Sequence, residues 1–83
     1  MNEEKIQILT ESIAGRKQEI MHYQINIDNY VFAIEDIEQN PNADDDMLAF
    51  KATLQDLLAS SKREQTKSKI ILKALEAQLA SLS

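Results

Sequence analysis

An all-α fold, an antiparallel hairpin of two long helices, is what this sequence predicts, and three observations carry the prediction. Isoleucine recurs at Ile6, Ile13, Ile20, Ile27 and Ile34, a strict spacing of seven. The stretch "QNPNADDDM", Gln39 to Met47, holds the only proline. Beyond it a second apolar stripe advances by alternating steps of three and four, the period of a helix face.

The first element must be tested against a local signal that points elsewhere. "HYQINIDNYVFAI", His22 to Ile34, begins with the alternation of a half-buried strand, and Asn26, Asp28 and Asn29 are poor helix formers. The longer period decides. Three residues after each isoleucine stand Leu9, Arg16, Tyr23, Tyr30 and Ile37, which completes a heptad seam that passes through the ambiguous stretch without a break. The spacing predicts a helix from Glu3 to Gln39, about 55 Å long at 1.5 Å per residue.

Pro41 cannot continue a helix interior, and Asn40 and Asn42 suit a turn or an N-cap. Asp44, Asp45 and Asp46 follow where the dipole of a new helix favours negative charge. The second helix is expected over Ala43 to Ser81. Its stripe comprises Met47, Leu54, Leu58, Ser61, Gln65, Ser68, Leu72, Leu75, Leu79 and Leu82, and Phe50, Leu57 and Ile71 are expected to widen it. Two such helices on a short turn fold back on each other, in a coiled-coil-like pair. Residues whose numbers sum to the mid-eighties then lie side by side. Arg16 and Tyr23 fall opposite Ser61, Gln65 and Ser68, so large meets small and one polar layer sets the register.

Composition agrees with this reading and removes several function classes. With one glycine, one proline, no tryptophan, 43% hydrophobic and 28% charged residues, the chain matches long helices and not a β-sandwich or a disordered tail. No cysteine is available for a disulfide. "MNEEKIQI" lacks the apolar core of a secretory leader and no apolar run is long enough to span a bilayer, so a cytoplasmic protein is expected. Net charge is -5, which disfavours a general nucleic-acid binder. The charge is graded: residues 19 to 62 hold nine acids and two bases, and the two ends together five acids and seven bases. With a single histidine and no glycine-rich loop there is no catalytic dyad, triad or phosphate cradle, and neither an enzyme nor a cofactor is expected.

A hairpin of 83 residues buries one seam per helix and stays marginal alone. Met21, Ile25 and Phe32 lie on the far side of the first helix, which points to self-association into a four-helix or larger bundle. Beside the seam a polar stripe collects Gly15, Glu19, His22, Asn26, Asn29 and Asp36. Amides and imidazole there offer directional contacts to a protein partner or small ligand.

Two rival readings use other residues. Arg16, Lys17, Lys62, Arg63, Lys67, Lys69 and Lys73 form a basic belt suited to phosphate, although no aromatic residue interleaves with it as single strands require. Glu19 and His22 have the Glu-x-x-His spacing of carboxylate-bridged metal bundles, with Glu64 as a further carboxylate in a dimer. Both lie beside the seam, whereas metal ligands in bundles point inward, and this ranks the metal reading below a protein-binding one.

The segments "MHYQINIDNYVFAIEDIE" and "LQDLLASSKREQTKSKIILKALEAQL" resemble small helical hairpin proteins carried by tailed bacteriophages. The resemblance covers most of the chain and implies a protein of the host cytoplasm that binds host or viral components, as an inhibitor of a host or defence protein would. It assigns no role to any residue.

Overall fold

Two helices and one turn account for the computed structural model, which describes residues 2–82: α1 over Asn2–Glu38 and α2 over Asp45–Ser81. Among the described residues there is no strand, and the stretch from His22 to Ile34 is helical throughout. The helices run antiparallel, and their Cα atoms fill a rod of 63 × 14 × 14 Å. No helix is long and apolar enough to cross a membrane, among the described residues.

The turn is built from local hydrogen bonds that the sequence nearly prescribes. Asn40 Oδ1 accepts from the Asn42 N–H at 2.9 Å and the Asn40 carbonyl from the Ala43 N–H at 3.3 Å, so one asparagine side chain and its own backbone both reverse the chain. The N-cap of α2 is Asp44, and Asn40 and Asn42, suited to a turn or a cap, both lie in the turn. Asp44 Oδ1 accepts from the Met47 N–H at 2.9 Å, and Asp45 and Asp46 occupy the first turn. The second helix therefore starts two residues later than Ala43.

The isoleucine seam packs over most of its length, with Ile20 half-buried and Ile6 exposed. Leu9, Ile13, Ile27, Ile34 and Ile37 are buried on α1, and Leu54, Gln65 and Ser68 on α2. Beside the turn Ile34, Ile37 and Leu54 form a cluster with Tyr30, Ala33, Met47 and Leu58 packed on it. Midway along the rod the seam turns polar. Arg16 Nη1 donates to Ser68 Oγ at 3.5 Å and to Glu19 Oε2 at 3.2 Å, and Gln65 Nε2 donates to the Ile20 carbonyl at 3.2 Å and to Gln24 Oε1 at 3.0 Å. Arg16 on α1 thus faces the small polar Ser68 on α2. No buried side-chain polar atom is left without a partner among the described residues, so the layer carries no desolvation penalty for an unmade bond.

Phe50, Leu57 and Ile71 do not join the seam. They remain 55%, 42% and 45% exposed. Gln65 and Ser68, anchored across to α1, hold α2 rotated so that these three stand at the seam's margin.

Candidate interaction surface

A two-helix rod presents two broad faces, to which both helices contribute, and two edges, each belonging to one helix. Two grooves fix which residues share a face. Ile8 and Gln78 line one groove with Glu4, Lys5 and Leu9, and Lys17 and Glu76 line another with Ile6, Ile13, Leu79 and Ala80. Sevenfold steps from those residues trace each face along the rod.

The first face carries Ile8, Gly15, His22, Asn29 and Asp36 from α1, and Phe50, Leu57, Glu64, Ile71 and Gln78 from α2. Glu19, Asn26 and Ala33 lie further in on the same side, one helical turn from their outer neighbours. The polar stripe and the three displaced apolar residues thus form one surface. His22, Asn26 and Asn29 are exposed there, and no hydrogen bond ties their side chains to another described residue. Asp28 is different: it accepts from Gln24 at 2.9 Å, which extends the polar layer of the seam.

The opposite face is polar and basic. Lys17, Gln24 and Val31 line it from α1, and Leu48, Gln55, Lys62, Lys69 and Glu76 from α2, with Lys73 at its margin. The basic belt is accordingly divided. Arg16 is held in the seam by Ser68 and Glu19, Lys67 pairs with Glu64 at 3.1 Å on the first face, and Arg63 stands on the outer edge of α2. Lys62, Arg63 and Lys67 still line one shallow surface groove with Thr66, whereas Lys17 lines another beside Glu76.

The outer edge of α1 holds Met21, Ile25 and Phe32, 63%, 59% and 69% exposed. Ile25 and Phe32 interleave with His22 and Asn29 at steps of three and four, with Met21 one turn before Ile25, so edge and first face form a continuous patch. As for metal ligation, Glu19 is engaged by Arg16 and Glu64 by Lys67, and no group of three or more His, Asp or Glu side chains gathers among the described residues.

Sequence reasoning found the polar stripe but not what it borders. The missing signal was a second strict heptad, Phe50, Leu57, Glu64, Ile71 and Gln78, which parallels the seam of α2 one position to the side. Fold and surface together define a class: an antiparallel helical hairpin with a mixed apolar and polar flank. Comparison with protein families, with curated proteins and with solved structures finds no match.

Proposed function

We propose that this chain is a non-enzymatic helical interaction module, which acts by docking its uncovered apolar and amide-bearing patch on other helices, those of its own copies among them. One observation carries the reading: closing the hairpin leaves Met21, Ile25 and Phe32 largely in water, in register with the free side chains of His22, Asn26 and Asn29. Large apolar groups in a row favour association, and neighbouring amides give it direction. The resemblance to phage hairpins extends the proposal to a host or defence protein as a further partner.

The experiment is light scattering of the purified protein at micromolar concentration, followed by capture of partners from a host lysate with the wild type and an Asn26→Ala/Asn29→Ala variant. The module reading expects a mass that is a multiple of 9.4 kDa, and a captured protein that the variant loses. A stable monomer that captures nothing overturns it.

A further inference from the structure

The first face sets residues in pairs about a polar centre, and on α2 the pair is apolar. Its α2 column places Leu57 and Ile71 at equal distances on either side of Glu64, and its α1 column places Gly15 and Asn29 likewise about His22. Register sets the two centres level, since Gln65 bonds to Ile20 and Gln24 and Ser68 to Arg16. We propose that a second copy of the chain docks on this face turned end for end, α2 upon α2, about a two-fold axis that crosses the rod at His22 and Glu64. The proposal rests on the interaction-module reading and names its first partner.

Surface area argues for an occupant of this size. The chain exposes 6161 Å², whereas a compact monomer of its 9.4 kDa exposes about 5,000 Å². The excess, roughly 1,100 Å², exceeds the ~800 Å² that each partner buries in a standard interface. A broad face offers both helices at once, and the Met21, Ile25 and Phe32 edge offers only α1.

Charge selects the orientation. Glu35, Asp36, Glu38, Asp44, Asp45 and Asp46 crowd the turn end, and none of them joins an ion pair among the described residues. Two hairpins docked in the same direction would superpose these clusters within about one screening length, ~8 Å at physiological salt. End-for-end docking sends them to opposite ends of the assembly.

The axis sets Glu64 against its own counterpart, and the apolar residues that flank it find apolar partners. Leu57 of each copy meets Ile71 of the other, so the half-exposed pair is buried twice. Glu64, drawn to Lys67 within its own chain, comes within one helical turn of Lys67 of the second copy. Gly15 comes opposite Asn29 of that copy. A glycine inside a helix costs about 1 kcal/mol relative to alanine, and nothing lies within 4 Å of where its Cβ would stand, so the isolated hairpin gains nothing from it. A helix approaching from outside does gain, because the backbone is bare there.

Introduced cysteines test this, since the sequence contains none. A disulfide needs Cα atoms within about 7 Å. In the proposed dimer Leu57 lies about 21 Å from its own counterpart, fourteen residues of rise away, and beside Ile71 of the second copy. Under mild oxidation, Glu64→Cys should therefore cross-link to itself, and Leu57→Cys should cross-link to an added Ile71→Cys protein but not to itself. Circular dichroism confirms that each variant keeps its helices, and light scattering gives the mass before oxidation. Cross-linking of Leu57→Cys with Asn29→Cys would identify same-direction docking and overturn the orientation. A dimer in which none of these pairs cross-links uses another face, which overturns the inference and leaves the module reading intact. A monomer at micromolar concentration that still captures a lysate protein removes the dimer alone, and one that captures nothing removes both.

Discussion

Gln65 of α2 reaches across the seam to Gln24 of α1, Nε2 to Oε1 at 3.0 Å, and Gln24 passes the contact on to Asp28 at 2.9 Å. Gln65 is buried, and its amide also donates to the Ile20 carbonyl. A polar side chain in an otherwise apolar seam specifies which residues pair and lowers the stability of the pairing.

Replacing Gln65 by leucine should thus raise stability. The Ile20 carbonyl keeps its place in the helix and Gln24 faces solvent, so no group is orphaned. A gain of about 1 kcal/mol from added apolar burial is expected, seen as a rise of roughly 5 °C in the thermal midpoint by circular dichroism. Gln65→Ala, which removes the bonds and leaves a void, should lose about 1–2 kcal/mol instead. A lower midpoint for the leucine variant would mean that the hydrogen bonds outweigh apolar packing at this level of the rod.

Leu54 and Phe32 should separate stability from association. Leu54 is buried in the cluster with Ile34 and Ile37, and truncation to alanine removes apolar contact where the seam is tightest. Urea denaturation should report a loss of about 2–3 kcal/mol. Phe32 is 69% exposed, so Phe32→Ser should change the unfolding free energy of the monomer by less than about 0.5 kcal/mol. Its effect belongs in binding: capture of a protein partner should weaken while the urea midpoint stays in place.

Asp44 tests the turn. As N-cap it accepts from the Met47 N–H, and its charge faces the positive end of the α2 dipole. Asp44→Ala should cost about 1 kcal/mol and Asp44→Asn only a few tenths, because the amide oxygen can accept the same bond. Asn42→Ala gives the contrast, for only its backbone N–H takes part in the turn's hydrogen bonds. If Asn42→Ala cost as much as Asp44→Ala, the cap would lie elsewhere than at Asp44.

The seam of α1 was legible because one period, seven, runs from Ile6 to Ile37 and survives the strand-like alternation around Ile25. The seam of α2 was legible in its leucines but not in its width. Hydrophobicity alone draws Phe50, Leu57 and Ile71 inward, and only the cross-seam bonds of Gln65 and Ser68 show that a polar pair takes the inner position. The candidate surface suffered the same limit. His22, Asn26 and Asn29 can be grouped with Ile25 and Phe32 from α1 alone, but the apolar neighbours on α2, Phe50, Leu57 and Ile71, are found only once the register is known. The N-cap was left open by local competition: Asn40, Asn42 and Asp44 all suit the role, and the turn uses Asn40 for itself.

The apolar cluster of Ile34, Ile37 and Leu54 sits beside the turn, not halfway along the rod. Contacts there close the shortest loop, and those near Ile8 and Gln78 close almost the whole chain. The hairpin therefore zips from the turn toward its termini and unzips in reverse. Amide hydrogens should exchange slowest around Ile34 and Leu54 and progressively faster toward Ile6 and Leu79, a gradient that native-state exchange resolves residue by residue. A ligand that clasps both helix arms near the open end holds shut the part of the protein that parts most easily, and so slows exchange far beyond its own footprint.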